Sequence, residues 1–393
     1  MEKQIKPRSV TTFVILLVSM MVLMGGAVVA PALPSISEAY PDASEFVISL
    51  IITLPSLAMA ILGIPIGMLA DRVGKVKVLV VSLFIFALSG VTGFFLEDLT
   101  AILVSRFLVG AGIAGLTSTA TALISELFSG RDRMVVLSYQ AAANGVGGLV
   151  LELSGGALAE ISWRYPFLVY GIGFVLMLLV LMFIREPRRD TVRTGGSFGP
   201  ERPDRKVLAV CYLSIFLAIC MMFALPTKLS YYLTESGGSP TMSGLILGLY
   251  GFTSAVFGLL YPRVSARITP ARMLSMGLLL FGIGYTMFLL EYSIVLTAIS
   301  AILVGMAMGT ITPSVTNMLA AQSNPSNSGR LMGGYSVFLS LGQFVSSILL
   351  TGVIAFMGGY DGMFTFLGVV ALVLCVLYLL IPRDLGKRKD IGA

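Results

Sequence analysis

The chain of 393 residues has no histidine, one tryptophan and three cysteines, and only 12% of its residues are charged. Each shortage excludes something. Without an imidazole, proton chemistry near neutral pH falls to carboxylates or other groups. Cys211, Cys220 and Cys375 all lie in apolar runs, so they offer neither a disulfide framework nor metal-ligand spacing. There is no nucleotide-binding loop, no metal cluster and no nucleophile–base set, so nothing supports enzymatic chemistry. The share of charge is about half that of an ordinary soluble domain. What fills the chain instead is apolar: 56% of the residues are hydrophobic, and the mean hydropathy is +0.95. Apolar runs of about 20 residues, each long enough to cross a ~30 Å hydrocarbon core, recur from end to end. The short alternating segments of a membrane β-barrel are missing. The expectation is a polytopic helical protein whose surroundings are a lipid bilayer.

The apolar pattern predicts twelve spans, at 12–33, 47–70, 76–95, 101–127, 134–160, 165–184, 207–233, 241–262, 273–292, 294–320, 331–357 and 361–382. Several exceed the length a bilayer needs, which implies tilt or protruding ends. The basic leader MEKQIKPRSV precedes an apolar run of span length with no small-residue cleavage site, so that run reads as the first span. Lysine and arginine set the orientation. With the N-terminus in the cytoplasm, 23 of the 26 basic residues fall in inner segments, the exceptions being Arg106, Arg164 and Lys228. The outer loops carry acids such as Glu38, Asp42, Glu45, Glu97 and Asp98. An even number of spans places both termini in the cytoplasm. The net charge of +6 is therefore a topology signal, and no nucleic-acid partner is expected.

Residues 185–206, REPRRDTVRTGGSFGPERPDRK, are charged, unperiodic and contain Gly and Pro, and read as a solvated cytoplasmic linker. They divide the chain into an N-terminal half, 1–184, and a C-terminal half, 207–393, of six spans each. The halves resemble each other. Arg133, Gly145, Gly155, Phe167 and Gly171 match Arg330, Gly342, Gly352, Phe364 and Gly368 at one offset of 197. GMLADRVGKVK (67–77) likewise answers GLLYPRVSARI (258–268). Duplicated halves place a substrate site between them near the bilayer midplane. An enzyme or a receptor needs no such duplication, whereas alternating access does.

GMLADRVGKVK resembles the loop signature of the major facilitator superfamily, G-x-L-a-D-R-x-G-r-k, between spans two and three where that family carries it. Gly67, Leu69, Asp71, Arg72, Gly74, Lys75 and Lys77 match. The resemblance implies an all-α membrane fold of twelve transmembrane helices in two six-helix halves. It also implies that Gly67, Asp71, Arg72, Gly74, Lys75 and Lys77 belong to a cytoplasmic gate. Gly67 and Gly74 would permit close helix approach and a tight turn, and Glu126 is a partner for Lys75 or Lys77. The plainer alternative is a solvated basic loop that serves topology alone. LVSRFLVGAGIAG (103–115) resembles the fourth-span motif of drug–proton antiporters, with Arg106, Gly110 and Gly115 matching and Val109 where a polar residue is common. The ALP ending of span one fits the same branch, although Gly25 stands where many members carry an acid. In span five, LELSGG keeps Gly155 and Gly156 of the branch's G-P-x-x-G-G core but has Leu151 and Glu152 in the Gly-Pro places.

Of the 20 acids, Glu152 alone lies deep in a span. An ionised carboxylate there costs several kcal/mol unless it is paired or hydrated. If spans four and five turn near residue 131, Arg106 and Glu152 differ in depth by only ~6 Å, so a pair is expected. Gln140, Asn144 and Glu152 form a polar stripe. These residues are the candidates for proton coupling and substrate contact, the alternative being a structural acid held by Ser, Tyr or Arg. In span seven, Pro226 is expected to bend the helix, and Lys228, Tyr231 and Tyr232 either line the mouth or form an interfacial belt. In span ten, Pro313 is expected to unwind the helix beside Thr312, Thr316 and Asn317. Gln343 in span eleven is a further candidate. No cofactor is expected, the proton gradient serving as energy source, and the protein is expected to be monomeric. The expected function is proton-coupled efflux of small amphipathic compounds or drugs by alternating access. Transport of a polar metabolite such as a sugar or organic acid, transport of a lipid-like substrate, and a receptor on a transporter fold are the alternatives.

Overall fold

The computed structural model describes residues 9–128, 130–186, 203–265, 268–324 and 327–380, and none of these is in a strand. Most of the linker expected at 185–206 lies outside the described residues. The chain forms two compact units, Met1–Thr191 with Leu233–Gly248, and Val192–Tyr232 with Leu249–Ala393. Among the described residues ten helices are long and apolar enough to cross a membrane.

The first unit contains α1 (Ser9–Met21), α2 (Leu33–Ala39), α3 (Glu45–Val73), α4 (Lys75–Phe95), α5 (Leu99–Leu127), α6 (Gly130–Ile161) and α7 (Ile172–Phe183). Local chemistry sets several boundaries. Ser44 Oγ accepts from Val47 N at the start of α3, and Asp98 Oδ2 accepts from Ala101 N, 2.8 Å, at the start of α5. Such caps satisfy backbone donors that have no partner inside the helix. The first apolar run is not the single span expected at 12–33. It breaks into α1, short 3₁₀ turns at Val22–Gly25 and Ala30–Ala32, and then α2. Gly25 and Gly26 are poor helix formers and Pro31 supplies no donor, so the helix has little reason to continue through them. α5 packs mainly on α3 and α4, whereas α6 packs on α1.

The second unit contains α8 (Arg205–Met222), α9 (Ser230–Glu235), α10 (Pro240–Ser265), α11 (Pro270–Thr286), α12 (Ile294–Ala321), α13 (Ser328–Met357) and α14 (Tyr360–Leu379), although the end of α9 from Leu233 and the start of α10 to Gly248 belong to the first unit. Between α8 and α9 a π-turn covers Leu225–Leu229. This is the interruption expected from Pro226, taken as a widened turn. Pro313, by contrast, does not unwind α12, which runs unbroken from Ile294 to Ala321. Neighbouring helices in a bundle can supply the packing that outweighs one lost backbone bond.

Within the first unit, the start of α10 lies on α6. A Cβ added at Gly244 would collide with the carbonyl oxygen of Glu152, and one at Gly156 would sit 2.5 Å from the carbonyl oxygen of Pro240. Small residues let two backbones approach this closely. Glu160, at the end of α6, accepts hydrogen bonds from Thr241 and Ser239 at the α10 N-terminus.

Candidate functional site

The break in the first span is a packing node. Gly155 in α6 lies so close to Val28 that an added Cβ would collide with its carbonyl oxygen. The hydroxyl of Tyr170 donates to the carbonyl of Met24. Arg106 of α5 stands behind Tyr170. Its side chain is 0% exposed, with the guanidinium carbon 4.7 Å from the Tyr170 ring centroid and 4.9 Å from that of Phe167. Its Nη2 donates to Gly90 O at 3.4 Å, while Nε and Nη1 have no acceptor. Full burial excludes snorkelling. Two aromatic faces compensate part of the desolvation of the cation.

The expected pair of Arg106 with Glu152 is not formed. Arg106 instead donates to Gly90 O, and Glu152 Oε2 has no hydrogen-bond partner. Similar depth brings two side chains together only where the helices that carry them pack on each other. Here α5 turns toward α3 and α4, α6 turns toward α1, and the guanidinium faces α4 and the residues before α7.

Glu152 is 7% exposed, and its Oε2 is buried with no hydrogen-bond partner. Two turns earlier on α6, Asn144 Oδ1 is also buried without a partner. One turn earlier still, Gln140 Nε2 donates to Ser19 Oγ of α1 at 2.7 Å. The stripe therefore has one member satisfied by α1 and two oxygens that accept nothing. An unsatisfied buried acceptor costs about 1–3 kcal/mol, so groups of this kind suit a proton or a visiting donor.

At the 67–77 loop, Lys75 Nζ is paired with Glu126 and lies 3.8 Å from Asp71 Oδ1. Of the two lysines considered for Glu126, Lys75 makes the pair. Gly74 takes φ of +120°, the turn expected of it. Gly67 makes no close approach, since an added Cβ would meet only Ser118 Oγ at 3.8 Å. Arg72 lies in the last turn of α3, and Lys77 is exposed on α4.

In the second unit Lys228 is 0% exposed inside the π-turn, 5.6 Å from the centroid of Tyr231. Tyr231 stacks on Tyr360, and Tyr232 is ringed by Phe288, Tyr292 and Phe364. All three candidates are buried, unlike an interfacial belt. On α12, Thr312 is half-buried, Thr316 Oγ1 bonds back to Thr312 O and Pro313 O, and Asn317 is exposed. Gln343 on α13 is half-buried.

A sequence model described as Major Facilitator Superfamily matches residues 15–235 and 211–392. The chain belongs to that superfamily. It is a multi-pass protein of the cell membrane. The chain is similar to the class B tetracycline resistance protein of Escherichia coli, 24% identical over 259 residues, with 63% of this chain and 64% of that protein covered. The bacillibactin exporter of Bacillus subtilis is 34% identical over 158 residues, 38% of this chain and 39% of the exporter. An uncharacterised transporter of Mycobacterium tuberculosis, EfpA, is 29% identical over 178 residues, 44% of this chain and 33% of EfpA. The alignments thus span from about a third to two thirds of these relatives. Among solved folds, a bacterial homologue of the human lysosomal transporter Spinster superposes with a TM-score of 0.72 at 19% identity, 96% of each chain being covered. A D-xylose–proton symporter superposes at 0.76 with 18% identity, covering 96% of this chain and 99% of the symporter.

Two contacts of this superfamily member were not foreseen. Glu186 caps α4, its Oε1 accepting from Lys75 N at 2.6 Å and its Oε2 from Val76 N at 2.9 Å. The signal was an acid next to a basic loop, but it lies 111 residues from its partner. Tyr170 was likewise passed over, because one tyrosine in an apolar run carries no pattern.

Proposed function

We propose that the protein is a secondary active transporter that exports small amphipathic compounds in exchange for protons, with Glu152 as the titrating group. The reading rests on one observation: the carboxylate of Glu152 is buried and its Oε2 has no partner. A carboxylate placed so is stable when neutral and becomes costly once ionised. Taking up or releasing a proton therefore changes the energy of whichever conformation buries it. Efflux is favoured by similarity to the tetracycline resistance protein and the bacillibactin exporter. The reading includes twelve spans in two six-helix halves with cytoplasmic termini, a monomeric protein, and the proton gradient as energy source. Lys228, Tyr231, Tyr232, Asn144, Thr312, Asn317 and Gln343 are its candidate substrate contacts.

The test uses purified protein in proteoliposomes with an imposed pH gradient, and tetracycline and ethidium as probes. Exchange coupled to protons is read from an internal pH dye. E152Q should abolish acceleration by the gradient and leave slow downhill movement of probe. Gradient-driven export at the wild-type rate by E152Q refutes the assignment of Glu152.

A further inference from the structure

The superfamily's chain is interrupted once in its first span and once in its seventh, and each interruption meets a buried tyrosine. In the first unit Tyr170 donates to Met24 O, just before the unwound residues that follow Gly25. In the second unit Tyr285 donates to Met221 O at 2.8 Å, just before the π-turn at Leu225–Leu229. Both tyrosines are 0% exposed. Each ring is held by aromatic neighbours, Tyr170 by Phe86 and Tyr285 by Phe281 and Phe364. Tyr170 is held additionally by the guanidinium of Arg106.

Duplication alone does not explain the likeness. At the offset of 197 that relates the halves, Tyr170 corresponds to Leu367. The first tyrosine comes from the turn before α7, Tyr165–Gly171, and the second from the end of α11. Two different elements thus deliver the same group to the same kind of target, a carbonyl at the edge of a broken span. Carbonyls at a helix end lack the regular intrahelical donor; Met221 O keeps a bond from Phe223 N at the C-cap and gains the Tyr285 hydroxyl as a second donor. A hydroxyl anchored from another helix fixes where and at what angle the span resumes.

We propose that Tyr170, backed by Arg106, and Tyr285 are positioning residues that hold the two broken spans in the geometry seen here, so that their hydroxyls bias the conformational equilibrium of transport. Arg106 then acts on span one through an aromatic ring. The proposal does not depend on proton coupling or on the direction of transport. A conformational bias of this kind equals the difference in free energy of the bond between the two states.

Hydrogen–deuterium exchange on the full-length protein in lipid nanodiscs tests the local part without a substrate. Y170F should speed exchange at residues 24–30 by about fivefold to tenfold, the worth of one buried hydrogen bond, and leave 221–229 unchanged. Y285F should do the reverse. R106K keeps the charge but loses the planar stack, and should affect 24–30 only. The positioning role is read from electron–electron distances between spin labels at K77C and R272C in a background with the three native cysteines replaced by serine. Each Tyr→Phe change should shift the ratio of the two distance populations by about fivefold, with the thermal midpoint held within about 3 °C. Unchanged exchange at both breaks overturns the proposal. Raised exchange with an unchanged ratio reduces the hydroxyls to local clamps and also overturns it. An unchanged 24–30 segment in R106K removes Arg106 from the arrangement.

Discussion

Gly155 and Gly352 match in sequence at the offset of 197 but have opposite surroundings, and this predicts opposite responses to the same substitution. A Cβ at Gly155 would collide with Val28 O and lie 2.8 Å from its carbonyl carbon and 3.0 Å from its Cα. These are backbone atoms at the first-span break and have no alternative rotamer. The helix must move instead, and overpacking of this kind costs about 1–3 kcal/mol. At Gly352 nothing lies within 4 Å of the added carbon. There, alanine should stabilise by about 0.5–1 kcal/mol, because glycine is the poorer helix former in the interior of α13. The two variants should therefore differ by about 1.5–4 kcal/mol. The protein carries its own reporter: Cys211, Cys220 and Cys375 are all buried and free, so a thiol-reactive dye fluoresces as they become exposed on unfolding. G155A should melt below the wild type and G352A at or above it. Equal midpoints, or a larger loss in G352A, would refute the packing argument.

Two further effects lie at helix ends. E186A removes both acceptors from the α4 N-terminus, and should lower stability by about 1–2 kcal/mol in the same melting assay; E186Q should recover part of the loss. Burial pushes the Tyr40 phenol above its ordinary value near 10, against the lowering effect of Arg164, and its hydroxyl donates to Glu97 O at 2.6 Å. The folded state keeps this phenol neutral to higher pH than the unfolded chain does. Its contribution is therefore intact below about pH 10 and lost as pH rises through the folded value. Y40F should flatten the alkaline decline of the thermal midpoint, and an unaltered decline would show that Tyr40 does not contribute to it.

The superfamily was legible because its signals are local. GMLADRVGKVK is a contiguous motif, apolar runs of span length need no partner to be recognised, and Pro226 marks the widened turn in α8–α9 at its own position. Glu152 was found the same way, as an acid where its neighbours are apolar. What stayed hidden depends on which face of a helix meets which neighbour. The Arg106–Glu152 pair failed because adjacency along the chain was taken for adjacency in space. Pro313 was overestimated because its cost is offset by packing that no single segment displays. Glu186 and Tyr170 each act on a backbone atom more than a hundred residues away, and backbone atoms have no sequence signature.

The capping of α4 by Glu186 has a topological consequence. The polypeptide leaving α7 is moored to the 67–77 loop immediately before Pro187. The mooring thus stands upstream of nearly all of residues 185–206, the stretch expected to be a linker. Breaking or lengthening that stretch beyond Pro187 leaves the knot intact. A cut at or before residue 186 unties it, so the site for splitting the gene into two co-expressed pieces lies after Pro187.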